Sequence, residues 1–232
     1  MKLCFRSITF ASVAFSLAAC SANSEDVKTS GLQAHYVVST QGTAKPVAEA
    51  SYSLASGEFR AISLNGGDYV TCNGTALKER GESTVYAASI EQKTDYEFVF
   101  SRPNEPKDAR RVSHPVTFSL APSGALAGAY TDSFTVKWDA PLATAEVTIT
   151  ADRDASSPSS CPPTVNLEFL SPDKGSATFS AAKFAPEDGS KTACKFNVTV
   201  QRDLVTAIGV SPFDGGSLAS RHIETIPIEL HP

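Results

Sequence analysis

Apolar and polar residues alternate along several short stretches of the chain, as they do in β-strands that bury one face. Residues 96–100 and 133–139 show this alternation, and residues 194–200 alternate without a break. No stretch has the repeat of 3.6 residues that marks an amphipathic helix. The pattern therefore predicts an all-β chain.

Turn-forming residues separate these stretches. Residues 65–68 read Asn-Gly-Gly-Asp and residues 73–74 read Asn-Gly, and glycine accepts the positive φ angles of tight turns at little cost. Many short strands bounded by such turns are typical of antiparallel β-sandwiches. We therefore predict two antiparallel β-sandwich domains.

One segment lacks the alternation. Arg102 to Pro115 holds three prolines and six charged residues, which is the composition of an exposed connector. The sequence therefore predicts a linker over residues 104–115, between a β-sandwich domain over 31–103 and a second over 116–232.

The second predicted domain contains a more specific motif. Residues 134–141 read Phe-Thr-Val-Lys-Trp-Asp-Ala-Pro, which resembles the tryptophan-bearing early strand of fibronectin type III and related immunoglobulin-like domains. The resemblance implies an immunoglobulin-like sandwich over 116–232. Trp138 has the same phase as Phe134 and Val136, so we expect it in the core and not at a sugar-binding surface.

The first nineteen residues have the layout of a secretory signal peptide. Lys2 and Arg6 precede a mostly apolar run over residues 8–19, and small residues lead to Cys20. The apolar run is shorter than the ~20 residues that a membrane-spanning helix needs. We therefore predict a signal peptide over residues 1–19.

The end of this segment, Leu17-Ala18-Ala19-Cys20, resembles the lipobox of bacterial lipoproteins. The resemblance implies that Cys20 carries a diacylglycerol thioether and an amine acylated by a chain such as palmitate. The protein would then be held at the cell-envelope membrane, and Ser21 favours the outer over the inner membrane. Residues 20–30 are polar and predicted to be a lipidated tether.

Charge narrows the choice of partners. The chain has 20 Lys and Arg residues against 25 Asp and Glu residues, a net charge of −5, and Lys2 and Arg6 leave with the signal. This acidic balance argues against a nucleic-acid partner, which requires a basic face. It also argues against polybasic adhesion to anionic lipid. The membrane attachment we expect is through Cys20 alone.

Three cysteines remain beyond Cys20. Cys161 and Cys194 both lie in the second predicted domain, so we predict a disulfide between them and a buried, reduced Cys72. The alternatives are a bridge from Cys72 across the two domains, or three free thiols. The spacings contain no CxxC pair and the four histidines are scattered, so the sequence predicts no metal site and no cofactor.

The chain contains none of the common catalytic or nucleotide-binding motifs. We therefore predict a membrane-anchored envelope lipoprotein that has a non-catalytic binding or structural role, with an envelope protein or a glycan as its partner. Two alternatives stay open. One is a carbohydrate-binding or adhesive module, and the other is a hydrolase whose site assembles from separate loops.

Overall fold

The protein is built from β-strands joined by turns. The structure, a computed structural model, describes residues 22–55, 61–81, 84–121, 126–186, 188–210 and 212–232. The only helical elements in these ranges are three 3₁₀ turns, Ser24–Asp26, Thr29–Gly31 and Ala181–Phe184. The prediction of an all-β chain is confirmed. No helix in the described part of the chain is long and apolar enough to cross a membrane.

The strands are numbered in chain order. They are β1 Ala22–Asn23, β2 Leu32–Gln41, β3 Val47–Leu54, β4 Ile62–Ser63, β5 Tyr69–Cys72, β6 Thr75–Ala76, β7 Lys78–Glu79, β8 Val85–Ser89, β9 Asp95–Ser101, β10 Asp108–Ser113, β11 Leu120–Ala121, β12 Leu126–Ala129, β13 Ser133–Trp138, β14 Glu146–Arg153, β15 Thr164–Leu170, β16 Ser176–Ser180, β17 Cys194–Ala207 and β18 Gly216–His231.

The two longest strands form a hairpin. β17 has 14 residues and β18 has 16, and they pair antiparallel from Cys194↔Leu230 to Ala207↔Ser217. At ~3.3 Å per residue, fourteen residues of strand span about 46 Å. The β17–β18 hairpin therefore extends along both halves of the chain.

β18 joins the two halves of the sequence in one sheet. Its first part pairs in parallel with β2, from Gly216↔Ala34 to Ile223↔Gln41. The strand order of the resulting main sheet is β15-β14-β17-β18-β2-β3-β8-β7, with β12 alongside the end of β18. Strands from the N-terminal and C-terminal halves therefore share one hydrogen-bonded ladder.

Pro227 lies where the ladder allows it. β2 pairs with β18 up to Ile223, and β12 pairs with it from Ile228 onward. Between these two partners, β18 is paired on one side only, with β17. Since proline has no N–H to donate, it is tolerated at such a locally open edge.

Two hydrophobic cores lie along the main sheet. In the first, β2, β3 and β8 face the four-stranded sheet β10-β9-β5-β6, and Tyr36 stacks on Phe98 across the gap at 4.8 Å. In the second, β14, β17 and β18 face the three-stranded sheet β11-β13-β16. Trp138 is 4% exposed in this second core, as predicted.

The boundary between the cores differs from the predicted domain boundary. Ile208 and Phe213, which belong to the predicted domain 116–232, are buried in the first core. They lie in the turn of the β17–β18 hairpin, which the parallel pairing with β2 brings onto the N-terminal half. Each core is therefore completed by the same hairpin.

The linker predicted over 104–115 is wrong for Asp108–Ser113. These residues form β10, which pairs antiparallel with β9 from Asp108↔Phe100 to Ser113↔Asp95. Val112 is buried, whereas Arg111 faces solvent and pairs with Glu97. Charged side chains are common on edge strands, where they discourage pairing with other chains. The high proportion of charged residues in this segment is also typical of an exposed connector, so composition does not distinguish the two.

The tether predicted over residues 20–30 is wrong from Ala22 onward. β1 pairs in parallel with β4, with Ala22 opposite Ile62 and Asn23 opposite Ser63. Ser24 and Thr29 are buried. This polar segment is therefore part of the folded body, although its sequence has no apolar periodicity.

Gly216 should be essential for the contact between β18 and β2. Its φ is +129°, and a Cβ placed there would meet the Ala34 carbonyl oxygen at 1.8 Å. Gly216→Ala must therefore separate the two strands, and we expect a loss of ~2–4 kcal/mol in the free energy of unfolding, measured by chemical denaturation.

Gly74→Ala is the matched control. Gly74 also has a positive φ, +81°, but a Cβ there would meet nothing within 4 Å. The control should lose only the ~1–2 kcal/mol of left-handed backbone strain. Equal losses for the two variants would contradict a tight contact at Gly216.

Candidate functional site

The predicted site residue Cys20 lies outside the described residues. The structure begins two residues later, at Ala22, and the segment 22–31 that follows is fastened to the body by a group of polar side chains. We call this group the N-terminal clamp: Ser24, Thr29, Asn65, Asp68, Arg102 and Glu105.

Arg102 is the centre of the N-terminal clamp. Its Nε donates to Asp68 Oδ1 at 3.1 Å and Oδ2 at 3.0 Å, and its Nη2 donates to Oδ2 at 2.6 Å. Both side chains are largely buried, at 10% and 3% exposure. Hydrogen bonding to Asp68 raises the pKa of the Arg102 guanidinium above its ordinary value. The pair joins the end of β9 to the turn before β5.

The same guanidinium holds the N-terminal segment. Nη2 donates to the Ser24 carbonyl at 2.8 Å, and Nη1 donates to the Val27 carbonyl at 2.7 Å and to Thr29 Oγ1 at 3.0 Å. Thr29 in turn donates to Glu105 Oε2 at 2.5 Å. One arginine therefore binds two backbone carbonyls of the N-terminal segment, and the Ser24 carbonyl also accepts from the Val27 backbone N–H at 3.1 Å.

The turn over residues 65–68 completes the clamp. The Asn65 backbone N–H donates to Ser24 Oγ at 2.9 Å, and Asn65 Oδ1 accepts from the Glu25 backbone N–H at 3.1 Å. The sequence predicted this turn correctly. Its contact with the N-terminal segment joins residues about forty positions apart, and no local spacing in the sequence reports it.

A second polar cluster lies between the two cores, along the β17–β18 hairpin. Arg202 Nε is 2.8 Å from Asp173 Oδ2, and the two side chains are almost fully buried. Asp173 also accepts from Trp138 Nε1 at 2.7 Å and from the Leu142 backbone N–H at 3.1 Å. The buried carboxylate is therefore surrounded by donors, which offsets the cost of its desolvation.

His222 connects this cluster to the first half of the chain. The Arg202 guanidinium lies over the ring of Phe118 at 4.5 Å, and the imidazole of His222 meets the same ring edge-on at 4.9 Å. His222 Nδ1 is 2.7 Å from Thr40 Oγ1 on β2, and its Nε2 is 3.0 Å from Glu224. The cluster therefore packs the last residues of β2 against the second core.

The predicted disulfide is confirmed. Cys161 and Cys194 are bonded, with their Cα atoms 5.9 Å apart, and join the loop before β15 to the first residue of β17. Cys72 is free and buried in the first core. Burial raises the pKa of its thiol to about 12. Because the thiolate is the reactive form, Cys72 is inert as a nucleophile at neutral pH.

The arrangement offers few groups for chemistry. Within the described ranges, no three His, Cys, Asp or Glu side chains form a group that could hold a metal ion. Acidic side chains do line a shallow depression beside the clamp, but Asp68 and Glu105 there are occupied by Arg102 and Thr29. These carboxylates hold the fold together.

The described residues expose a sheet edge and several large apolar side chains. β15 is the outermost strand at one end of the main sheet, and Phe169 on it is 60% exposed. The other large exposed apolar side chains among the described residues are Tyr69, Val116, Val205 and Val210. Tyr69 and Val210 lie near the N-terminal clamp and the hairpin turn.

Comparisons with known proteins give no family. No protein-family model matches the chain, and no curated protein matches it. Among solved structures, the chain is similar to the crystal structure of a Salmonella alpha-2-macroglobulin mutant, at 11% identity and a TM-score of 0.25. The match covers 90% of this chain and 15% of that one, so the chain spans a small part of that protein's length.

Arg102→Ala should release the N-terminal segment. The change leaves the buried Asp68 carboxylate without its partner, so we expect a loss of ~3 kcal/mol in stability and faster hydrogen exchange over residues 22–31. Hydrogen–deuterium exchange with peptide mapping measures both the segment and the rest of the chain.

Arg111→Ala is the control, because Arg111 pairs with Glu97 at the surface and its side chain is 77% exposed. It should change stability by less than ~1 kcal/mol and leave exchange over 22–31 unaltered. Unchanged exchange in the Arg102 variant would show that the clamp does not hold the segment.

Proposed function

We propose that this protein is a lipid-anchored component of a bacterial cell envelope, attached through Cys20, which binds another envelope protein without catalysis. Ser21 after the cysteine favours the outer membrane. One observation carries the proposal: a lipobox-like Leu17-Ala18-Ala19-Cys20 directly precedes a segment that belongs to the folded body from Ala22 onward. The first described residue of the body is two positions after the cysteine that would carry the lipid.

The proposal includes the fold family of each half. Two facing sheets around one core, with Trp138 inside the second, are what an immunoglobulin-like sandwich requires. Such sandwiches commonly serve as binding modules, and their function depends on the site and not on the fold.

The exposed edge of β15 supports a protein partner. Among the described strands β15 has a neighbour on one side only, β14, so its outer backbone groups are available to another chain. An extended peptide can add to such an edge by backbone hydrogen bonds, with side-chain contacts giving specificity. Phe169 offers an apolar contact at that edge.

Two observations favour this role over its alternatives. The exposed aromatic residues Tyr69 and Phe169 belong to different sheets in different halves, whereas sugar-binding platforms need aromatic rings side by side. The buried Cys72 thiol and the engaged carboxylates of the clamp are poor candidates for a hydrolase.

Cys20→Ala should release the protein from the membrane. Two or more acyl chains anchor firmly, since burial of each methylene contributes ~0.8 kcal/mol. We expect the wild-type protein in the membrane pellet after fractionation and the variant in the soluble fraction. A variant that still pellets, at the mass of the wild type, would contradict lipid attachment.

The partner-binding edge is tested in intact envelopes with a photoreactive amino acid at position 169. We expect discrete cross-linked adducts there. The matched control is the same amino acid at the exposed Lys137, on the central strand of the three-stranded sheet. Equal adducts at the two positions, or none at 169, would contradict binding at the β15 edge.

A further inference from the structure

The structure points to a fixed orientation of the body on the lipid surface. We propose, given the lipidation of Cys20 proposed above, that the molecule stands end-on, with the end that carries the N-terminal clamp against the bilayer. We call this the proximal end. The contact is made to zwitterionic lipid headgroups, through the exposed side chains of Tyr69 and Val210.

The short stretch of chain between Cys20 and Ala22 limits the distance between the lipid anchor and the folded body. Consecutive Cα atoms are 3.8 Å apart, so the Cα of Ala22 lies within about 8 Å of the Cα of Cys20. Ala22 is paired with Ile62 in β1, and the Arg102 guanidinium holds the carbonyls of the next turn. No flexible spacer separates the anchor from the body, so the proximal end lies at the membrane surface.

The β17–β18 hairpin gives the direction of the long axis. Its turn lies at the proximal end, because the Asp214 backbone N–H donates to Leu32 at 2.8 Å and Phe213 contacts Phe100 at 5.3 Å. Its other end carries Cys194, which is bonded to Cys161. The disulfide is therefore about 46 Å of strand away from the turn.

The proximal end has apolar side chains in solvent. Val210, in the hairpin turn, is 79% exposed, and Tyr69, next to the clamp residue Asp68, is 48% exposed. Tyrosine is enriched at membrane interfaces because its ring is apolar and its hydroxyl is polar. Neither side chain has a role in either core, and contact with lipid would remove both from water.

Charge selects the type of headgroup. Glu25, Asp26, Glu105 and Asp214 are exposed at the proximal end, against the exposed cations Lys28 and Lys107. An acidic surface is repelled by anionic lipid. Zwitterionic headgroups carry no net charge and impose no such penalty.

In the end-on orientation, the β15 edge lies at a defined distance from the membrane surface. Phe169 aligns with Thr148 of β14, which aligns with Gln201 of β17. Gln201 is six residues before Ala207 at the end of β17, which is about 20 Å of strand. A partner bound at β15 would therefore lie clear of the headgroups.

The test measures distance from the lipid surface at two sites. The acylated protein is placed in phosphatidylcholine vesicles that contain a headgroup spin-labelled lipid. A fluorophore is attached to Val210→Cys at the proximal end or to Ala127→Cys, which pairs with Glu229 near the opposite end. Cys72 is buried and stays unlabelled in the folded protein. We expect several-fold stronger quenching at 210 than at 127.

The control inserts twelve Gly and Ser residues between Ser21 and Ala22. Such a linker has an r.m.s. reach of ~17–21 Å, so the preference for position 210 should fall toward equality. Equal quenching at both sites without the insertion, or an unchanged preference with it, would overturn the end-on orientation. Intact mass reports acylation separately: loss of the acyl mass overturns the proposed anchor, whereas acylated protein with equal quenching overturns the orientation alone.

Discussion

The parallel pairing of β18 with β2 is the contact on which the rest of the architecture depends. β18 is paired with β17 along the whole length of β17. Its pairing with β2 therefore joins the C-terminal half of the chain to the N-terminal half. The hairpin turn then supplies Ile208 and Phe213 to the first core. Without this ladder, the first core would lose these two side chains.

The polar cluster between the cores stabilises the same junction. Arg202 and His222 are opposite each other on β17 and β18, and both contact the ring of Phe118. Asp173 fixes the guanidinium from the second half, and Thr40 fixes the imidazole from the first. A buried charge is tolerated only with such partners, so the cluster favours one arrangement of the two halves over others.

Sequence patterns within one strand or one half of the chain predicted the features that depend on residues of that strand or half. The alternation around Trp138 gave a buried strand, and the positions of Cys161 and Cys194 gave a disulfide within one half. The pairing of β18 with β2 could not be predicted, because it joins residues about 180 positions apart. The sequence did not predict that the N-terminal segment and β10 belong to the folded body, because neither has an apolar repeat. The N-terminal segment is polar and is held by Arg102, and β10 is a charged edge strand.

The central claim is that the hairpin makes the two cores one cooperative unit, and the chain has one probe in each core. Trp138, the single tryptophan, reports the second core by fluorescence, and Cys72 reports the first by thiol labelling. Both are followed through denaturant unfolding of a variant with Cys4→Ala and Cys20→Ala, in which the remaining cysteines besides Cys72 are bonded to each other. The two probes should give one coincident transition. Two separate midpoints, with one core intact after the other has unfolded, would contradict the claim.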